Sequence, residues 1–199
     1  MTIDTAASSP LARFDAIFTQ HQRAVLAYTM RRTPTLADAE DATAETFTIA
    51  WRKLASVPTD DALPWLYAVA RRVLANQRRG NGRRERLASL LKVEEDVATP
   101  LRLGNDRDGP AFLALASLSP SDQEVLRLHA WEGLANHQIA QVLAITPNAV
   151  AIRLHRARAR YAAALAATPG AGDLKYPDPT RTSTDVTGTN GAAWKGVAE

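Results

Sequence analysis

The sequence predicts an all-α protein made of two small helical domains joined by a flexible linker, the second containing a helix-turn-helix. Apolar residues recur at three- and four-residue steps through most of the chain, as they do on one face of an α-helix. Prolines and glycines separate those segments, and no segment alternates like a half-buried strand. A length of 199 residues, 46% of them hydrophobic, suits one or two small domains.

Composition excludes several classes of protein. The chain has no cysteine, which excludes a disulfide scaffold, a thiolate metal site and a cysteine nucleophile, and which fits a reducing compartment. No segment approaches the ~20 apolar residues of a membrane span, and the first residues lack the pattern of a secretory signal. We therefore expect a cytoplasmic protein without membrane insertion. The net charge is only +3, but the arginines cluster, which predicts local basic patches.

The first domain is predicted to span residues 11–92, after a disordered lead of residues 1–10. Its helices are expected over residues 11–32, 36–54, 62–79 and 83–92. Thr33-Pro34 ends the first helix, because the residue before a proline disfavours the α conformation. Gly80 and Gly82 are expected to break the third helix before a short basic one.

The second domain is predicted over residues 111–167, after a linker of residues 93–110 that is rich in glycine and proline. Its helices are expected to begin at Ser119-Pro120, at about Asn136 and at Thr146-Pro147. Thr146 is a good N-cap, whereas Ala135 cannot cap a helix with its side chain, so Asn136 is expected to take that role. Residues 168–199 hold few apolar side chains and are expected to be disordered.

Residues 134–161 carry the most informative pattern. A short apolar-faced helix, a tight turn at residues 144–146 and a longer basic helix form the layout of a helix-turn-helix. Val150, Leu154, Ala157 and Tyr161 share one face of the longer helix, so the opposite face is left to meet the major groove.

The candidate DNA-reading residues lie on and beside that outward face. They are Asn148, Ala151, Ile152, Arg153, His155, Arg156 and Arg158. Outward side chains would meet base edges, Ile152 a thymine methyl, and flanking arginines would reach phosphates. The competing interpretation is a solvated face of an alanine-rich helix. A metal site at His155 is disfavoured, because no second ligand lies three or four residues away.

The second predicted helix has an acidic face. Asp38, Asp41 and Glu45 fall within about 60° of one another, with Ile49 on the same side. An acidic face with an apolar centre is typical of a docking surface for a basic partner. Acidic residues near a helix N-terminus also stabilise the helix dipole, and the residues alone leave the two interpretations equal.

The third predicted helix has an apolar half and an arginine half, which Arg83, Arg84 and Arg86 extend. Arg71, Arg72, Arg78 and Arg79 lie on the basic half, and Tyr67 lies at its edge as an accessible aromatic. Arginine beside an exposed aromatic suits single-stranded or distorted nucleic acid, through phosphate attraction and stacking. RNA or an acidic protein is the competing partner. No nucleophile, metal cluster or phosphate loop accompanies these patches, so we expect neither an enzyme nor a cofactor.

The order of these features resembles the extracytoplasmic-function (ECF) class of RNA polymerase sigma factors, in the sigma-70 family. The matching segments are DAEDATAETFTIAWR at 38–52, PWLYAVARR at 64–72, LSPSDQEVL at 118–126 and the helix-turn-helix at 134–158. The resemblance covers about residues 11–165. It makes residues 11–92 region 2 and residues 111–167 region 4.

The resemblance implies a promoter-specificity subunit. Its acidic face, with Asp38, Asp41, Glu45 and Ile49, would dock on the β′ clamp helices of core RNA polymerase, with the β flap a further contact. Region 4 would read the −35 element, and an anti-sigma factor would hold the protein inactive. The residues implied for the −10 element are Ser56, Asp60, Asp61, Tyr67, Arg71, Arg72, Arg78 and Arg79. The loop from Ser56 to Ala62 would hold a base flipped out of the duplex.

A stand-alone helix-turn-helix regulator that never touches polymerase is the alternative. Such a protein needs neither the acidic face nor the arginine helix in this order. Two departures from the family pattern bear on function: Ala44 stands where glutamine is common, and Ala151 and Ile152 replace a pair that is often polar.

Overall fold

Helices supply the regular secondary structure of residues 9–91 and 109–168, the part of the chain that the computed structural model describes. Side chains are described for residues 9–80 and 109–168. The helices are α1 (Pro10–Met30), α2 (Leu36–Arg52), α3 (Ala62–Leu91), α4 (Pro110–Ala116), α5 (Pro120–Ala130), α6 (Asn136–Leu143) and α7 (Pro147–Ala167). One turn of 3₁₀ helix at Leu54–Ser56 follows α2. The predicted all-α class is confirmed. Most of the predicted lead and linker and nearly all of the tail lie outside the described residues; Ser9 and Pro10, predicted to belong to the disordered lead, instead begin α1.

Side-chain caps define most of the helix starts. Ser9, Thr35, Ser119 and Thr146 each accept a hydrogen bond from the backbone N–H three residues later. α6 differs, because its N-cap is Ala135 and no side chain caps it from that position. The expectation that Asn136 takes this role is wrong.

The cap of α6 is half of a capping box. The Gln138 side-chain oxygen accepts a hydrogen bond from the Ala135 N–H at 2.9 Å. One orphan donor of the first turn is thereby satisfied without a capping hydroxyl.

The expected break at Gly80 is absent, and α3 continues as one helix to Leu91. A helical glycine costs only about 1 kcal/mol relative to alanine and keeps its backbone N–H. Gly80 has no positive φ, which a turn of the expected kind would need. The predicted third and fourth helices are therefore a single element.

Helices α1, α2 and α3 pack into an N-terminal unit. Val25, Leu66 and Val73 are fully buried, and Phe47 packs edge-on against Phe18 with ring centroids 4.9 Å apart. These apolar side chains come from the three- and four-residue spacing of each helix, so the unit's core follows directly from the sequence pattern.

Helices α4 to α7 form a C-terminal unit around Val125, Leu128, Ile139 and Val150. Arg160 of α7 closes the unit through an ion pair of 2.7 Å to Asp122, whose side chain is buried near the start of α5. An acidic side chain in the first turn of α5 also favours the helix dipole.

The two units pack against each other, chiefly through α3 and α6. Glu124 of α5 receives a hydrogen bond from the Tyr28 hydroxyl at 2.9 Å and one from Arg32 Nε at 3.1 Å. Glu132 receives hydrogen bonds from Arg32 Nη1 at 3.0 Å and from Arg31. The sequence did not predict this closed arrangement.

Candidate nucleic-acid interface

The helix-turn-helix is formed by α6 and the first turns of α7. Between them Ala144 adopts the left-handed conformation, with φ +54° and ψ +48°, which an L-residue with a Cβ rarely takes. Thr146 then caps α7. The side chains of Val150, Leu154 and Ala157 are buried on the inner face of α7, as predicted, and that of Tyr161 is partly buried. Their burial fixes which face of α7 is turned outward.

The predicted reading residues lie on the outward side of α7. Asn148, Ala151, Ile152, His155, Arg156 and Arg158 are exposed. Ile152 is 45% exposed, an apolar side chain in water that gains nothing from this position in the free protein. Arg153 is partly buried and turns toward the N-terminal unit instead. The outward face is thus free except at Arg153.

The acidic face of α2 is split between two roles. Asp41 and Glu45 are exposed, and Ile49 is partly buried beside them. Asp38 takes part in the helix start, because its carboxylate accepts a hydrogen bond from the Thr35 hydroxyl at 2.5 Å. The alternative interpretation, an acidic residue at the helix N-terminus, therefore accounts for Asp38. It leaves Asp41 and Glu45 without a structural role.

The loop before α3 is partly engaged by the other unit. Ser56 and Asp60 are exposed, and Asp60 accepts a hydrogen bond from the neighbouring Thr59 hydroxyl. Asp61 accepts a hydrogen bond of 2.7 Å from the Gln138 amide of α6. The loop and the helix-turn-helix are therefore joined directly in this arrangement.

Tyr67 is a correction to the sequence interpretation. It is only 2% exposed and stacks on Tyr28, with ring centroids 4.7 Å apart, so it is not the accessible aromatic that was expected. Burial, with a smaller contribution from Glu132, raises the pKa of Tyr67 to about 12. A position at the edge of an amphipathic face becomes buried when a second helix covers it, and α1 does so here.

The α3 arginines line a cleft between the two units. Arg71, Arg72, Arg78 and Arg79 share it with Arg153 of α7, and its volume is about 630 Å³. Arg78 donates a hydrogen bond to the Arg32 carbonyl at 3.2 Å. The structure thus brings together basic residues that the sequence assigned to separate DNA contacts.

Sequence reasoning missed the residues that hold the units together, namely Arg31, Arg32, Glu124 and Glu132. Burial works against the charge of Arg32, but Tyr28 and the carboxylates of Glu124 and Glu132 outweigh it and raise the pKa of Arg32. The Arg32 guanidinium also lies 3.6 Å from the centre of the Tyr28 ring. No local signal marks these residues, because the partners are about a hundred positions apart.

The described residues show neither a candidate metal cluster nor a membrane-spanning helix. They contain no cluster of three or more histidine, cysteine or acidic side chains able to hold a metal ion. None of the helices in residues 9–91 and 109–168 is long and apolar enough to cross a bilayer.

Comparison with known proteins identifies both units. Residues 17–84 match the family described as Sigma-70 region 2, and residues 112–160 match Sigma-70, region 4. The ECF RNA polymerase sigma factor SigL of Mycobacterium tuberculosis is 30% identical over 164 residues, which cover 78% of this chain and 90% of SigL. The RNA polymerase sigma factor CarQ of Myxococcus xanthus is 30% identical over 149 residues, covering 72% of this chain and 83% of CarQ.

Solved structures share the fold. The sigma factor RpoE, in complex with the anti-sigma factor NepR from Bartonella quintana, matches with a TM-score of 0.59 and 23% identity, covering 77% of this chain and 97% of RpoE. CnrH, in complex with the cytosolic domain of CnrY, matches with a TM-score of 0.56 and 23% identity, covering 82% of this chain and 94% of CnrH.

Proposed function

The chain belongs to the ECF class of RNA polymerase sigma factors, and on that premise we propose that it binds core RNA polymerase, recognises −35 and −10 promoter elements and assists DNA melting. One observation supports this most directly. An exposed acidic face on α2 and a helix-turn-helix with a free outward face occur on one chain, in the order of the two sigma regions. A stand-alone regulator has no use for the first of these.

The −35 element is read by α7. Its outward residues enter the major groove, where Ile152 meets a thymine methyl and Asn148 and His155 reach polar base edges. Arg156 and Arg158 are exposed on either side and bind phosphates, which sets the register of the helix on the duplex. The exposure of Ile152 supports this assignment, because its apolar side chain faces water in the free protein and would gain an apolar contact from a thymine methyl.

The −10 element is bound by the loop of residues 56–62 and the arginines of α3. Ser56 and Asp60 are exposed polar side chains at the loop, with hydrogen-bonding groups available to an extruded base. Extruding a base costs a few kcal/mol of unstacking. Arg71, Arg72 and Arg79 offset part of that free energy by attracting the phosphates of the separating strands.

Core polymerase is bound by the exposed part of the acidic face. Asp41 and Glu45 attract a basic surface, and Ile49 supplies the apolar centre that a stable contact needs. The β′ clamp helices are the proposed partner of this face, and the β flap that of the second unit. An anti-sigma factor is a further proposed partner, as NepR is for RpoE.

The closed arrangement must open for both promoter elements to be bound. The −35 and −10 elements are named by their positions and so lie about 25 base pairs apart, which is about 85 Å of duplex at 3.4 Å per base pair. In the closed arrangement the Gln138 amide is 2.7 Å from Asp61 of the −10 loop. Polymerase and promoter binding therefore select an open state of the protein.

Reconstituted transcription tests the proposal. The full chain is mixed with core RNA polymerase and a library of promoter sequences, and the transcript starts are mapped. We expect initiation at a shared pair of upstream elements that core polymerase alone does not use. Absence of promoter-dependent starts, together with absence of core binding, would contradict it. Duplex binding without core binding would support a stand-alone regulator.

A further inference from the structure

The cleft between the two units holds far more positive than negative charge. We name it the arginine cleft; its volume is about 630 Å³. Its charged lining residues are Arg32, Arg71, Arg72, Arg78, Arg79, Arg153 and Glu124. The walls therefore carry six arginines and a single carboxylate.

That carboxylate is already committed. Glu124 accepts hydrogen bonds from the Tyr28 hydroxyl at 2.9 Å and from Arg32 at 3.1 Å, so its negative charge already pairs with Arg32. Arg78 and Arg79 donate to uncharged acceptors, the Arg32 carbonyl and the Asn76 side chain. Neither contact neutralises a guanidinium.

The other three arginines of the cleft are not neutralised by an acidic side chain within the described part of the chain. Arg71, Arg72 and Arg153 make no hydrogen bond and no ion pair there. Arg32 is nine-tenths buried, and its Nη2 atom is left without a hydrogen-bond acceptor. Arg71 and Arg72 are exposed and Arg153 is partly buried, so water can solvate them, whereas the buried Arg32 Nη2 donor is costly unless an acceptor satisfies it.

The positive charge of the cleft arginines also affects a neighbouring residue, Arg127. Burial lowers the pKa of Arg127 most, and Arg32 lowers it next; Glu124 raises it, and Arg78 lowers it further. Guanidinium groups that face one another across a cleft repel, and closing the two units increases that repulsion. An anion in the cleft would remove it.

We propose that the arginine cleft of the closed protein binds a compact polyphosphate anion. Arginine binds phosphate oxygens through two parallel hydrogen bonds, so several guanidiniums around one cavity suit a chain of two or three phosphates. The volume is that of a small-ligand site and is far too small for a duplex. Leu74, Ala75 and Leu143 form an apolar part of the wall, which a base attached to the phosphates can contact.

Such binding would hold the protein closed. The cleft has walls from both units, since Arg71 and Arg72 come from α3 and Arg153 comes from α7. An anion that bridges them stabilises the closed state over the open one, and by linkage anything that opens the protein weakens anion binding. The site does not depend on the proposed promoter contacts and is tested on the protein alone.

Calorimetric titration of the full chain with inorganic triphosphate is the first test, at about the 0.1 M ionic strength where surface charges are screened over about 10 Å. We expect one anion per chain. Arg72→Gln and Arg153→Gln should each weaken binding at least tenfold, and Arg23→Gln, an exposed arginine of α1 outside the cleft, less than twofold. Equal weakening by all three, or none by the first two, overturns the proposal.

Glu132→Gln separates a closed site from simple charge attraction. The change removes a negative charge near the cleft, so attraction alone predicts tighter binding of triphosphate. The closed site predicts weaker binding, at least fivefold, because Glu132 pairs with Arg31 and Arg32 across the units. Circular dichroism checks that the variant keeps its helices. Unchanged or tighter binding by a folded variant overturns the proposal.

Two further ligands identify the source of the phosphates. ATP binding as tightly as triphosphate indicates that the phosphate chain alone is recognised, and tighter ATP binding indicates that the apolar wall contacts the base; both support the proposal. Binding of single-stranded DNA with no binding of either small anion overturns it and leaves these arginines to promoter DNA.

Discussion

Arg32 and Glu132 lie a hundred residues apart in the chain and form an ion pair of 3.0 Å between the two units. The side chains are 3% and 1% exposed, so the pair is fully withdrawn from water. Removing one partner of a buried pair costs about 3–5 kcal/mol, mainly because the other charge stays buried and unpaired. Opening the units removes that cost by returning both charges to water. The pair therefore opposes separation only while both partners are present.

Glu132→Gln is expected to open the protein. The uncompensated Arg31 and Arg32 charges are relieved when the units separate, so the open population rises. Because the chain has no cysteine, cysteines introduced at the exposed positions Thr48 of α2 and Ala163 of α7 can carry a dye pair. Energy transfer between the dyes should fall in the variant. Asp15→Asn, an exposed acid of α1, is the matched control, and equal transfer in both would refute the role of the ion pair.

Glu45→Arg is expected to weaken binding to core RNA polymerase at least tenfold. The change reverses the charge at the exposed part of the acidic face, so a basic partner surface is repelled. Glu40→Arg alters an exposed acid on another side of the same helix and serves as the control. Affinities are measured by fluorescence anisotropy with labelled protein. Comparable loss in both variants, or parallel loss of duplex binding, would show that the face is wrongly placed.

Ile152→Ser is expected to lower the preference for thymine at one −35 position by about fourfold. That corresponds to the ~0.8 kcal/mol of one buried methylene-sized contact. Selection from a randomised duplex library measures the preference. Ala163→Ser lies on a similar face three turns further along α7 and should leave the selected sequence unchanged. If Ile152→Ser also selects the same sequence, Ile152 does not contact the bases.

Ala144→Gly is expected to stabilise the protein by about 0.5–1 kcal/mol. The left-handed conformation at φ +54° costs an L-residue about 1–2 kcal/mol and costs glycine almost nothing, although the freedom that glycine adds to the unfolded chain removes about 0.4–1 kcal/mol of that gain. The free energy of unfolding in urea measures the gain. Ala135→Gly, at an exposed extended position, offers no such relief and is the control. A loss of stability at Ala144 would mean that the turn is not strained.

Local signals allowed the helix-turn-helix to be predicted closely. Thr146 caps α7 and Pro147 suits its first turn, and the apolar spacing from Val150 to Ala157 fixes the buried face. These features depend on residues only a few positions apart, so they can be recognised in a single sequence. The caps at Ser9, Thr35 and Ser119 also act over three residues, and of these the sequence pattern predicts the helix start at Ser119.

Predictions failed where distant contacts or small energies decide the outcome. Gly80 does not end α3, because the cost of one glycine is smaller than the gain from continuing a helix. Tyr67 is buried by Tyr28, a residue 39 positions earlier on another helix. The pairs between Arg32 and the two glutamates depend on how whole units pack, and periodicity carries no information about that.

Gln138 shows how the two units can part. Its side-chain oxygen accepts from the Ala135 N–H inside α6, while its amide donates to Asp61 of the other unit. Losing Asp61 leaves the start of α6 satisfied, and the ion pairs of Arg32 are likewise made by side chains alone. Separation therefore breaks no backbone hydrogen bond of either unit at these contacts. We expect the proposed opening to be a rigid-body movement that reverses without refolding, which lets the same molecule return to its closed form after a round of initiation.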